Sequence, residues 1–223
     1  MSSDFISYFE SALLNLDNNA YLESILCFDQ ALELDQHNSD AFYYRGLAKY
    51  LAKTNGAIDD FNMAVSLNAN NYFAYYSRGI LFYETQNYQS AIEDLNKFLE
   101  YDATSYYAYY IRGLARYFLH DYAGAIIDYD LAIDYEEDDA DLYYNRGLAK
   151  FALKHIVKAI QDFNKALDRD SERCEFYFQR GLARYQLKDL TGALMDFDIA
   201  LDLNPNCQEV VQYRNMLQAK LTS

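Results

Sequence analysis

Small and apolar residues recur along this chain with the spacing i, i+1, i+4, i+7, i+8, which draws one apolar face on a helix. Ala193, Leu194, Phe197, Ala200 and Leu201 show it near the C-terminus. The opening pair returns as Ala57-Ile58, Ala91-Ile92, Ala125-Ile126 and Ala159-Ile160, with a step of 34 throughout. A second pattern precedes each of these blocks. Tyr109-Tyr110-Ile111-Arg112-Gly113-Leu114-Ala115-Arg116-Tyr117 is mirrored by Phe42 to Tyr50, Tyr75 to Tyr83, Tyr143 to Phe151 and Tyr177 to Tyr185. Its glycines, Gly46, Gly79, Gly113, Gly147 and Gly181, are 33, 34, 34 and 34 residues apart. A fixed period in that range means a stacked repeat array. Each period reads as two helices of about 12–14 residues, a length marginal alone in water, so stacking must stabilise them.

With the glycine at position 8, the repeats run 5–38, 39–71, 72–105, 106–139, 140–173 and 174–207. The first has Ala12 in place of glycine, and Gln208 to Leu221 supplies only a first helix, read as a cap over 208–221. End units depart from the pattern because one side of each faces water. Repeat two is one residue short around Lys53-Thr54-Asn55-Gly56. Repeat three exchanges the usual order of aromatic and alanine, with Leu95 and Phe98, which reads as local repacking at conserved volume. Gly113 is expected opposite Ala125 and Ala132, where it lets the two helices approach closely.

These residues resemble the tetratricopeptide repeat, a 34-residue helix-turn-helix unit. The match rests on an aromatic at position 4 (Phe42, Tyr75, Tyr109, Tyr143, Tyr177), Gly at 8, Ala at 20, an aromatic at 24 and Ala at 27. It covers nearly the whole chain. The family's tryptophan at position 4 is absent, and its proline at position 32 survives only as Pro205. Position 11, usually aromatic in the family, holds Lys49, Arg116, Lys150 and Arg184. The resemblance implies an all-α fold, a right-handed superhelical array of helix-turn-helix repeats.

A helix turns about 100° per residue, so positions 5, 9 and 12 share an arc of about 60°. Those positions hold Tyr43, Leu47 and Tyr50; Tyr76, Ile80 and Tyr83; Tyr110, Leu114 and Tyr117; Tyr144, Leu148 and Phe151; Phe178, Leu182 and Tyr185. Positions 4, 8 and 11 turn towards the paired helix. Positions 3, 7 and 10 form a third face, where Ala41, Ala48, Ala108 and Ala115 are small enough for a neighbouring helix. The Tyr-Leu-Tyr face is left over. By resemblance it lines the concave groove where such arrays bind peptides, and tyrosine suits binding with a large apolar ring and a polar tip. The alternative is that these rings pack on each other between repeats. Some family members grip a C-terminal carboxylate with Lys and Asn at positions 2, 5, 6 and 9. Here only Asn145 fits that clamp, while position 2 holds Asp40, Phe73, Tyr107, Asp141 and Glu175, the acidic ones forming an acidic edge.

Arginine at position 7 (Arg45, Arg78, Arg112, Arg146, Arg180) accompanies aspartate at position 23 (Asp60, Asp94, Asp128, Asp162, Asp196). Repeat one loses both, which suggests a pair within one repeat. Arg214, without an aspartate of its own repeat, instead suggests pairing with the preceding Asp196.

Composition narrows the function. Acidic residues number 34 against 19 basic, a net charge of −15. That field disfavours nucleic acid and anionic membrane and would favour a basic partner, while the plainer reading is that an acidic surface keeps the chain in solution. Cys27, Cys174 and Cys207 are scattered, as expected in a reducing compartment without a disulfide framework. No apolar run approaches the roughly 18 residues of a membrane span, and no basic leader precedes Asp4 and Glu10, so the cytoplasm is the expected compartment. His37, His120 and His155 are isolated, and no nucleophile or phosphate-loop motif is present. The run Glu136-Glu137-Asp138-Asp139 reads as a solvated turn, with a weak calcium or basic-partner site as the alternative. The expectation is a scaffold or adaptor for a protein or peptide with basic and apolar character, without enzymatic activity or cofactor, as a monomer or homodimer. The alternatives are a self-associating structural subunit and a regulatory subunit or chaperone of a larger complex.

Overall fold

A computed structural model of the chain describes residues 2–222. Thirteen α-helices account for most of them, and no strand occurs among the described residues. In order they are α1 (Ser3–Asp17), α2 (Tyr21–Leu34), α3 (Ser39–Leu51), α4 (Ala57–Leu67), α5 (Tyr72–Glu84), α6 (Tyr88–Tyr101), α7 (Tyr106–Phe118), α8 (Tyr122–Tyr135), α9 (Ala140–Ala152), α10 (Ile156–Arg169), α11 (Cys174–Gln186), α12 (Leu190–Leu203) and α13 (Gln208–Thr222). They divide into two compact units, Met1–Ala103 and Thr104–Ser223. Within each, a helix packs against the next in sequence.

Local signals set the helix ends. Ser2, Asn38, Asn71, Ser105 and Asp139 accept backbone N–H bonds at the starts of α1, α3, α5, α7 and α9. Such caps satisfy donors that a helix start leaves orphaned. The turn inside each pair is unusual in its chemistry. Asn19, Lys53, Gln86, His120, Lys154 and Lys188 all hold φ between 55° and 63°. At α9, Lys154 N–H donates to the Phe151 carbonyl and His155 N–H to that of Lys150, both at 2.9 Å. This is the Schellman closure, which ordinarily places glycine at the left-handed residue. Gly56, with φ 90°, precedes α4 as its N-cap after the shortened turn.

The core is a row of aromatic rings seated on glycines. A Cβ built on Gly113 would fall 2.8 Å from the Tyr129 ring, and on Gly181 2.6 Å from Phe197. Gly113 therefore makes room for Tyr129, rather than simply facing Ala125 and Ala132 as the sequence suggested. Phe61 and Phe163 sit the same way on Gly46 and Gly147. In the α5–α6 pair Leu95 takes the seat on Gly79, and Phe98 fills the space that alanine holds elsewhere, both buried. The exchanged residues thus repack locally.

Candidate functional site

The face of alternating tyrosine and aliphatic residues is half-buried along most of its length. In the first unit, the Tyr76 ring lies 4.5 Å from Phe98, and Tyr43 lies 6.3 Å from Phe61 and 6.5 Å from Phe73. Leu47 and Ile80 are half-buried beside them. Tyr50 donates to the Glu84 carboxylate at 2.6 Å, and Tyr83 packs on Tyr88. A shallow pocket of about 360 Å³ opens beside Tyr50 where the short turn to α4 leaves room, lined also by Asn55, Ile58 and Leu81.

In the second unit, Tyr110, Leu114 and Tyr117 pack on a buried cluster of Ala125, Tyr129 and Ala149. Asn145 donates to the Tyr110 hydroxyl at 3.3 Å and to the Asp141 carbonyl at 2.8 Å. Tyr144 lies 4.6 Å from Phe176, and Leu148 and Phe151 pack with it around Phe163 and Ala183. Phe178 is buried between Phe197 and Tyr213, and Lys220 of α13 donates to the Tyr185 hydroxyl at 2.5 Å. Leu182 lies in the same cluster. The last row is thus covered by α13, whereas the rows on α7 and α9 keep part of each ring in solvent.

Burial raises the pKa of Tyr43, opposed by its hydrogen bond with Ser77. Burial likewise raises Tyr117, with a contribution from Tyr122, and Tyr144, with a contribution from the Glu175 charge. These phenols stay neutral at physiological pH and present an apolar ring with a hydroxyl.

Two exposed aromatics extend the face. Phe73 is 49% and Tyr107 40% exposed, the latter with its ring 6.0 Å from Tyr110. Both stand three residues before a face tyrosine, and that i, i+3 spacing is the signal that would have found them. Of the acidic edge, Asp141 and Glu175 bracket Arg173 at 3.4 and 2.6 Å, so part of their charge is met within the chain.

The arginines lie on a different face, and within each unit several join neighbouring helix pairs. Arg146 grips Asp162 of its own pair through Nε and Nη2 at 3.0 and 2.7 Å, and reaches Asp130 of the preceding pair through Nη1 at 2.6 Å. Arg45 holds Asp60 and Asp29, Arg78 holds Asp94 and Asn62, and Arg180 holds Asp196 and Asn164 in the same way. Arg112 pairs with Asp128. The pairing within a repeat is therefore correct. Arg214 bonds Asp198 at 3.0 Å rather than Asp196, the same bond sixteen residues back that Arg45, Arg78, Arg146 and Arg180 make to the preceding pair. Lys49, Arg116, Lys150 and Arg184 each bring a second cation to the aspartate of their pair. Each position-7 guanidinium also lies 5.2 to 5.4 Å from the ring three residues before it, as Arg112 does over Tyr109. Burial opposes the charge on Arg146, but Asp162 and Asp130 outweigh it and raise its pKa. These bonds satisfy the arginines structurally.

Among the described residues no group of three or more His, Cys, Asp or Glu could hold a metal ion. In the acidic turn, Asp139 caps α9 and the Glu137 carbonyl accepts from Arg169. No helix among the described residues is long and apolar enough to cross a membrane.

A family model described as tetratricopeptide repeat matches residues 140–172, and a second of the same description matches 76–140. No curated protein matches the chain. Among solved structures, YrrB, described as a TPR protein with an unusual peptide-binding site, superposes with a TM-score of 0.76 at 17% identity, covering 84% of this chain and 97% of YrrB. MamA does so with a TM-score of 0.69 at 27% identity, covering 74% and 96%. PilF of Pseudomonas aeruginosa gives 0.73 at 14% identity, covering 96% and 97%.

Proposed function

Because this chain is a tetratricopeptide repeat protein, we propose that it is a scaffold or adaptor that binds a peptide segment of a partner along its tyrosine-lined face. Repeats of this kind are protein-interaction modules. The observation that supports the finer reading is the partial exposure of face rings on α3 and α5 in the first unit and on α7 and α9 in the second, beside the more exposed Phe73 and Tyr107. Such rings offer large apolar area at a small cost in rotamer entropy, which is why tyrosine is frequent among binding hot spots. YrrB, which shares this fold, is itself a TPR protein with an unusual peptide-binding site. The central anchors would be Tyr76 and Tyr83 in the first unit and Tyr110, Tyr117 and Tyr144 in the second. A net charge of −15 favours a segment that mixes apolar and basic residues.

The test is a titration. A partner captured from lysate is reduced to its binding peptide and titrated against wild type, Tyr107→Ala and the pair Tyr110→Ala with Tyr117→Ala. Loss of central anchors should weaken binding about tenfold or more. Tyr107 packs less tightly, so its variant separates lost contact from lost folding. Unchanged affinity in folded variants would move recognition to another face. Concentration-dependent light scattering without a partner would favour the self-associating alternative.

A further inference from the structure

Cys174 is the first residue of α11, and Cys207 is the last before α13. Ser39, first in α3, and Asn71, last before α5, hold the same two places in an earlier helix pair. There the side chains touch, with Asn71 Nδ2 donating to Ser39 Oγ at 2.9 Å. The backbone around the two places is alike. Asn71 N–H bonds the Asn68 carbonyl at 3.0 Å, and Cys207 N–H bonds the Asn204 carbonyl at 3.3 Å. Asn68 and Asn204 in turn end α4 and α12 by bonding the carbonyls of Ala64 and Ala200.

Both cysteines are free, half-buried and packed on one cluster with Phe178, Val210 and Leu217. We propose that Cys174 and Cys207 form a reversible disulfide that fastens α13 to the start of α11. The oxidant is a low-molecular-weight disulfide such as oxidised glutathione. The thiolate of one cysteine attacks it and releases one small thiol. The second cysteine, its proton lost to solvent, attacks the mixed disulfide and releases the other. Two protein S–H bonds are replaced by one S–S bond, and the reagent is reduced to two thiols. The turn over Asn204 to Asn206, which leads into Cys207, is exposed. Burial, helped by the Glu175 carboxylate, raises the Cys174 pKa, so exchange runs faster on the alkaline side of neutrality. The fastened helix is the one whose Tyr213 covers Phe178 and Phe197.

The experiment treats the full folded chain with oxidised glutathione at about pH 8, where more of a thiol is ionised, then quenches it in acid. The three thiols should fall to one, with an intact mass lower by two hydrogens and a non-reduced peptide joining Cys174 to Cys207. Amide exchange in α13 should slow by about tenfold and recover on adding dithiothreitol. Cys174→Ser should instead retain glutathione on Cys207, and Cys207→Ser should retain it on Cys174, so either variant serves if the other fails to fold. Separate glutathione adducts on both cysteines of the wild type, a cross-linked dimer, three surviving thiols, or a bond without slowed exchange would overturn the proposal.

Discussion

The Phe163 ring lies against Gly147 so closely that a Cβ built on the glycine falls 2.7 Å from ring carbon Cε1. A ring held on all sides cannot give way, so Gly147→Ala overpacks the seat. It should destabilise the protein by about 1–3 kcal/mol. The same change at Gly79 meets the Leu95 side chain at 3.1 Å, a branched and more adaptable neighbour, and should cost less. Urea midpoints of the two variants decide the order; equal losses would show that the ring does not govern the seat.

Arg146 is 11% and Asp162 4% exposed on the side chain, whereas Asp130 is 53% exposed. Removing Arg146 leaves a buried carboxylate with Lys150 alone, and Arg146→Ala should cost about 3–5 kcal/mol. Asp130→Ala breaks an exposed bond and should cost about 0–1 kcal/mol. Chemical denaturation of both variants measures the gap, and comparable losses would show that the arginine works mainly through its contact with the preceding pair.

Asp94 differs from the other paired aspartates, because Phe82 stands where they find a second cation. Burial raises the Asp94 pKa, with the bonds from Arg78 opposing. The folded chain therefore holds this proton more tightly than the unfolded chain. The Asp94 contribution to stability grows as pH falls through the folded pKa and is complete below the unfolded value of about 3.9. Wild type should accordingly gain stability relative to Asp94→Asn between pH 7 and pH 4. A change in the opposite direction in paired denaturation curves would mean that Arg78 dominates.

Lys188 is exposed and holds φ 62° in the turn between α11 and α12. Left-handed backbone costs an L-residue about 1–2 kcal/mol, and glycine escapes that cost while losing more entropy on folding. Lys188→Gly should raise stability by about 0.5–1 kcal/mol net, and Lys188→Ala should not. A melting temperature unchanged by the glycine would show the turn to be unstrained.

The helices were legible because their apolar faces and glycine seats recur at one period, so each repeat corroborates the next. The partner of Arg214 was not. Asp196 and Asp198 lie on one helix two residues apart, and the outward bond to the residue sixteen back, which Arg146 and Arg180 also make, was not read from the sequence. The left-handed turn residues gave little sign, since Lys53, Gln86, Lys154 and Lys188 carry no preference for that backbone, and just Asn19 and His120 are of types enriched there. On the tyrosine face the sequence placed the rings together but could not say that α13 would close over Phe178. It placed Phe73 and Tyr107 at position 2 without joining them to the face, although both stand three residues before one of its tyrosines.

Within each unit, arginines at position 7 bond their own helix pair and the one before it, so the same contact recurs from one period to the next. Excising residues 140–173 would remove one full period and bring Arg180 to the place of Arg146. Its outward bond would then meet Asp130, where it now meets Asn164. Either oxygen accepts from the guanidinium, so the junction would close with its chemistry intact. Duplication or loss of 34 residues is thus a nearly silent edit for folding, while it changes how many rings the chain sets out for a partner. A protein of this build can be retailored in steps of one period.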